Sequence, residues 1–210
     1  MLKIGVLVSG GGSNLQAVID GVKDGYLKNC EVAVVISNVE NAYALERAQN
    51  NNIPSYVVRK KDFKKGDIES YDKALIDILE KHEVGLVLMA GFLTIVGTTL
   101  VKKYENRMMN IHPSLIPSFC GAGYYGLKVH EKVLEYGVKV TGATVHFVTD
   151  EPDAGPIIIQ KAVYIQDDDT PEILQKRVME EAEWVIYKEA VRLFSEDKLK
   201  IEGKVVKTLK

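Results

Sequence analysis

The residues that invite chemistry sit in three short segments. One is Met108-Met109-Asn110-Ile111-His112-Pro113-Ser114-Leu115. In a strand, residues two apart point the same way, so Asn110 and His112 project together and Pro113 ends the strand. A neutral amide beside an imidazole suits a developing oxyanion. The amide donates a hydrogen bond, and a protonated imidazole adds charge and can hand over a proton. The plain alternative is a core Asn and His that satisfy each other. The second segment is Val148-Thr149-Asp150-Glu151-Pro152-Asp153-Ala154-Gly155-Pro156. Either Asp150 or Asp153 could raise an imidazole pKa and fix its tautomer, and the same residue types also make an ordinary turn.

The third segment is Ser9-Gly10-Gly11-Gly12-Ser13-Asn14. Glycines let the backbone approach a ligand closely, and a helix start offers unpaired N–H groups to a phosphate. The segment lacks the Gly-Lys-Ser/Thr of a P-loop, and Leu15 stands where a dinucleotide fingerprint needs its third glycine. Two readings stay open: a mononucleotide or phosphomonoester cradle, and a tight turn closed by a capping box from Ser13 to Gln16. A Cys120–His112 nucleophilic pair has nothing to mark the thiol as activated. Four scattered His and two distant Cys give no metal-ligand spacing, so no metal is expected.

These segments need elements to carry them. Lys3–Val8, Val32–Ile36 and Gly85–Met89 are continuous apolar runs, the pattern of strands buried on both faces. Between them fall helices starting at Ser13, over Tyr43–Asn51 and over Ile68–Lys81, with a short strand at Ser55–Val58. The alternation implies a doubly wound, mostly parallel α/β sheet with helices on both faces. The second half adds a short strand at Arg107–Asn110, a Gly- and Tyr-rich loop, and a helix over Leu127–Tyr136. Thr141–Val148 and Ile157–Ile165 then form an antiparallel extension. Thr170-Pro171 starts a helix that runs to about Phe194, and Lys200–Thr208 reads as a weak strand pair. Along the last helix, Met179, Ala182, Ile186, Ala190 and Leu193 form an apolar stripe. Glu183 lies roughly 60° from its centre and calls for a partner. His82 reads as solvated, His130 as a residue on a helix face, and His146 as a buried, hydrogen-bonded imidazole.

The chain has 210 residues, 46% hydrophobic and 27% charged, with net charge −2 and two cysteines. This balance excludes disorder, a collagen-like fibre and a Cys-rich secreted scaffold, and it fits a reducing compartment. It also argues against a protein that grips nucleic acid through charge. The longest apolar stretch, residues 84–97, is broken by glycines and shorter than the roughly 20 residues of a membrane span. The expectation is one cytoplasmic domain over residues 1–210, a monomer or homodimer, with no membrane or nucleic-acid partner.

Taken in order, Gly10–Leu15, Ala90-Gly91-Phe92, Asn110-Ile-His-Pro-Ser-Leu-Ile-Pro117, Val140–Val148 and Asp153–Gln160 resemble the phosphoribosylglycinamide formyltransferase family. These are folate-dependent enzymes of purine biosynthesis. The resemblance covers nearly the whole chain and implies the formyltransferase fold. It implies transfer of the formyl group of 10-formyltetrahydrofolate to the amine of glycinamide ribonucleotide. Asn110 would then hold the formyl oxygen. His112 would stabilise the oxyanion and act as acid, and Asp153 would keep His112 protonated. Gly12, Ser13 and Asn14 would hold the substrate phosphate, and Glu183 would contact the rest of that substrate. Leu93, Thr94, Ile95 and Val96 would line the pterin pocket, with Asp150 in the loop opposite. The sequence departs from the family pattern at Thr94, where many members carry Arg, and at Trp184, where His is common. The helix before Trp184 is one residue longer, and the loop Phe119–Gly126 is longer than in some members.

Two enzymes within the superfamily and one non-catalytic class that keeps the same fold compete with this reading. A 10-formyltetrahydrofolate deformylase would use the same Asn110, His112 and Asp153 but usually carries an N-terminal regulatory domain. A methionyl-tRNA formyltransferase needs a C-terminal tRNA-binding domain. The chain length leaves no room expected for either. A non-catalytic nucleotide-binding module would not need the three polar residues.

Overall fold

The computed structural model describes residues 1–209. Its strands are β1 (Leu2–Val8), β2 (Cys30–Ser37), β3 (Ser55–Val57), β4 (Leu86–Met89), β5 (Met108–His112), β6 (Val140–Phe147), β7 (Ile157–Tyr164), β8 (Leu199–Glu202) and β9 (Val205–Thr208). Among the described residues they form one sheet in the order β3-β2-β1-β4-β5-β6-β7-β9-β8. The first five strands pair in parallel. The sheet turns antiparallel at β5–β6 and stays so at β6–β7. β9 joins β7 through one parallel pair, Ile157 with Val205, and β8 closes the edge antiparallel.

The helices are α1 (Ser13–Lys23), α2 (Tyr43–Asn50), α3 (Ile68–Lys81), α4 (Thr98–Lys103), α5 (Leu127–Tyr136), α6 (Pro171–Val178) and α7 (Trp184–Ser195). Side-chain alternation along the strands feeds two cores. Ile4, Val6 and Val8 pack with Leu15 and Val18 of α1 and Tyr187 and Val191 of α7. Leu7, Val34 and Ile36 pack with Tyr71, Leu75 and Leu79 of α3 and Leu100 of α4. Helices therefore cover both faces. The chain winds outward from β1 to β3, then resumes at β4 on the other side of β1. This reversal opens a crevice at the carboxyl ends of β1 and β4, the place where open α/β sheets take ligands. Among the described residues no helix is long and apolar enough to cross a membrane.

Three local features differ from the sequence expectations. The helix α4 was not anticipated. Its start is held by the fully buried Asp72 of α3, whose carboxylate accepts from the N–H groups of Gly97 (2.8 Å) and Leu100 (3.0 Å). That carboxylate satisfies helix-start donors from a distant part of the chain, so no local signal announces the helix. A short 3₁₀ turn at Lys60–Asp62 also interrupts the loop before α3. Finally, the expected single helix from Thr170 to Phe194 is broken by a π-turn over Met179–Glu183. Thr170 does cap its start, accepting from Ile173 N–H at 3.3 Å, with Pro171 in the first turn. A π-turn holds an extra residue within a helix.

Candidate active site

Strand β5 places Asn110 and His112 on one face, and the antiparallel register sets Asn110 directly opposite His146 of β6. The turn after β6 brings Asp153 to the same place. Its carboxylate Oδ2 accepts from the Gly121 N–H at 2.8 Å and lies 3.6 Å from His112 Nδ1. Its Oδ1 faces Asn110 Nδ2 at 3.4 Å and His146 Nε2 at 3.5 Å. Two features make this turn possible. Asp153 adopts a left-handed backbone, φ 55°. Gly155 lies so close to β6 that a Cβ there would come within 1.8 Å of the Phe147 carbonyl oxygen.

Backbone carbonyls orient both imidazoles. His112 Nε2–H donates to Phe119 O at 2.8 Å, which turns Nδ1 toward Asp153. His146 Nδ1–H donates to Phe147 O at 2.8 Å, which turns Nε2 toward Asn110 at 3.2 Å. His146 thus belongs to the site, beyond the buried, bonded role read from sequence; its signal was a position facing Asn110 across two strands. Burial lowers the His112 pKa below its ordinary 6.5, while Asp153 and the Phe119 carbonyl push it upward. Asp153 thus favours the imidazolium against the cost of desolvation. Asp153 itself is held below the usual carboxylate value. The burial that raises it is outweighed by His146, His112 and the Gly121 N–H.

The cluster closes one end of a cavity of about 350 Å³. Leu93, Thr94, Ile95 and Val96 line it, together with Asn110, His112, Asp150, Asp153 and the Gly121–Gly126 loop. Leu93 and Ile95 are 58% and 65% exposed, large apolar surface left open beside polar groups. Such a wall fits a flat, partly apolar ligand. Thr94 Oγ1 accepts from Asn38 Nδ2 at 2.5 Å. Asp150 is exposed on the rim, so Asp153 is the carboxylate that meets the histidines. A larger open depression, about 650 Å³, lies against α2 between Glu40 and Ser55 and carries none of these residues. Cys120 donates to Pro117 O at 3.3 Å, and burial pushes its thiol pKa up, which disfavours a nucleophile.

The Gly-rich turn follows β1, beside the loop after β4, and Leu93 N–H donates to Ser9 Oγ at 2.8 Å. Gly12, Ser13, Asn14 and Glu183 are not in the wall of the 350 Å³ cavity. The capping box does not form. Gly12 precedes α1 with φ 70° and no side chain caps the helix start. Ser13 Oγ instead contacts Met179 Sδ at 3.6 Å, and Asn14 Nδ2 donates to Glu183 Oε2 at 2.6 Å. Both partners come from the π-turn. Met179 is half-buried at the turn rather than part of the core stripe. Glu183 is 6% exposed, and burial pushes its pKa up to about 7 despite the Asn14 amide. Of the remaining histidines, His82 is half-buried with Nε2 3.1 Å from the Tyr56 hydroxyl. His130 is fully buried, and burial holds its pKa at about 4.

An amide donor and an imidazole converge beside a half-buried carboxylate, in the wall of a partly apolar cavity. Such a site suits an enzyme that passes an acyl-level carbon through a tetrahedral oxyanion. Comparison with known proteins sharpens that class: residues 2–191 match the Formyl transferase family, and the chain belongs to it. It is 41% identical over 198 residues to the chloroplastic phosphoribosylglycinamide formyltransferase of Arabidopsis thaliana, covering 94% of this chain and 67% of that one. It is 38% identical to the phosphoribosylglycinamide formyltransferase of Escherichia coli strain K12, covering 95% and 90%. The crystal structure of glycinamide ribonucleotide transformylase 1 from Symbiobacterium toebii superposes with a TM-score of 0.93 at 43% identity, covering 100% and 95%. Trifunctional purine biosynthetic proteins also match, and the chain spans 14% of the one from Chironomus tentans and 18% of the one from Bos taurus.

The buried Glu183 carries a testable pH dependence. Its ordinary value is 4.5 and its folded value about 7. Between them the folded chain keeps a proton that the unfolded chain has lost, so stability falls as pH rises across that window and is level above it. Glu183→Gln removes this loss. The gain of the variant over the parent in urea unfolding should widen by about 3 kcal/mol from pH 4.5 to pH 7. A gain independent of pH would show that Glu183 does not titrate in this way.

Proposed function

We propose that this chain, as one formyltransferase unit, transfers the formyl group of 10-formyltetrahydrofolate to the amine of 5′-phosphoribosylglycinamide. The observation that carries the reading is the meeting of Asn110, His112 and Asp153 at the end of a cavity with an open apolar wall. The wall at Leu93–Val96 suits the pterin. The turn Gly12–Asn14 suits the phosphate, with Glu183 behind it.

The amine nitrogen attacks the formyl carbon and its C=O becomes an oxyanion. Asn110 Nδ2 has only long contacts, 3.2 and 3.4 Å, so it is free to donate to that oxygen. His112 Nδ1 points into the same space because Nε2 is committed to Phe119 O. When protonated, Nδ1–H stabilises the oxyanion. As the carbon–N10 bond breaks, the proton lost by the amine reaches N10 by way of His112 and Asp153. No net proton is consumed. Growing negative charge beside His112 favours the imidazolium that burial disfavours.

The first test is turnover of 10-formyltetrahydrofolate with and without the ribonucleotide. Folate product that appears only with the ribonucleotide supports transfer; equal release without it indicates hydrolysis, and tight nucleotide binding without turnover indicates a binding module. His112→Ala should lower kcat by at least about 10²-fold. A change confined to KM would mean that His112 has another role.

Asp153→Asn separates the carboxylate from the imidazole. Loss of the negative charge removes an upward influence on the His112 pKa. The alkaline limb of kcat/KM set by His112 should move to lower pH in D153N, along with a fall in rate. An unmoved limb would break the proposed coupling.

A further inference from the structure

The Gly-rich turn is gripped from outside the crevice by α2. Arg47 Nε donates to the Gly11 carbonyl at 2.8 Å, and its Nη1 donates to Gln16 Oε1 of α1 at 3.1 Å. The guanidinium carbon lies over the Tyr43 ring, 4.9 Å from its centre. The Ala44 N–H donates to the Gly10 carbonyl at 3.0 Å. Gly12 rests so close to α2 that a Cβ there would be 2.7 Å from Ala44 Cβ. Arg59, Arg177 and Arg192 each pair with a carboxylate. Among the described residues, no carboxylate lies within salt-bridge distance of Arg47. Its charge therefore stands unneutralised against a turn that contains no lysine or arginine of its own.

We propose that Arg47 is a positioning residue for the ligand's phosphate, acting through the turn. The inference rests on the reading of Gly12–Asn14 as the phosphate cradle. The forked guanidinium holds Gly11 C=O back against α2 and ties it to α1. The N–H groups at the start of α1 are then left free for an anion, with a full positive charge behind them. A lysine supplies the charge but not the two bonds at fixed angle, so the roles of fork and charge can be separated.

The test compares the parent, Arg47→Gln and Arg47→Lys, each first shown by circular dichroism and thermal unfolding to be folded. Inorganic phosphate is the probe, measured as a competitive inhibitor against the ribonucleotide, with KM and kcat determined alongside. R47Q should weaken phosphate inhibition and raise the ribonucleotide KM by about 10-fold or more, with kcat at saturation within about 3-fold; R47K should fall between R47Q and the parent. The KM for the formyl donor should stay level in both variants. Equal phosphate inhibition in parent and R47Q overturns the role of Arg47 while leaving the cradle intact. A parent enzyme that phosphate does not inhibit overturns the cradle itself, and the inference with it. Loss confined to kcat, or R47K equal to either extreme, also rejects the combined role of fork and charge.

Discussion

The candidate site depends on the position of one strand. β5 is the last parallel strand and the first antiparallel one: it pairs with β4 through Met89 and Asn110, and with β6 through Asn110 and His146. A strand flanked in this way is buried along its hydrogen-bonded edges, so its side chains are fixed in register on both sides. That register places an amide and two imidazoles within reach of one carboxylate. A slip of one residue would turn Asn110 and His112 to the opposite face and bring Met109 and Ile111 to theirs.

Around this strand, polar and apolar surfaces are divided. Asp153 is half-buried but bonded to Gly121 N–H and faced by Asn110 and both histidines, which keeps it ionised where desolvation would favour the acid. A buried carboxylate left without such partners would take up a proton. Glu183 shows the contrast. It has a single amide partner, and its pKa rises to about 7. Across the cavity, Leu93 and Ile95 expose apolar surface that the folded chain does not cover with its own side chains. Their placement follows from β4, whose carboxyl end leads straight into that loop.

The last helix ties the two halves of the crevice together. Tyr187 OH donates to Met89 O at 3.0 Å and to Met109 O at 3.3 Å, pinning α7 beneath β4 and β5. One turn earlier, the π-turn presents Met179 to Ser13 and Glu183 to Asn14. The π-turn thus has a structural consequence. It carries the residues that back the Gly-rich turn, and Glu183 is buried rather than left at the margin of an apolar stripe.

Sequence alone determined the strands with continuous apolar runs, the helices with clear periodicity, and the pairing of Asn110 with His112 on one face. Those features depend on neighbours close in the chain: β1 needs only its own Ile4, Val6 and Val8, and α3 only its spacing and its Asp67 cap. The helix α4 was hidden because its start is held by Asp72, 25 residues from Gly97. Residue types alone left Asp150 and Asp153 open, and the part played by His146 and the contact of Arg47 with Gly11 were hidden for the same reason. Each is a meeting of side chains from different elements, and its geometry exists only after the sheet has brought those elements together. Ser13 and Gln16 show the converse, since a spacing that fits a capping box yielded to Met179, Asp20 and Arg47. Residue types and local periodicity decided which groups were available for chemistry. Tertiary structure decided which of them meet, because burial and hydrogen-bond partners are set by contacts across the fold.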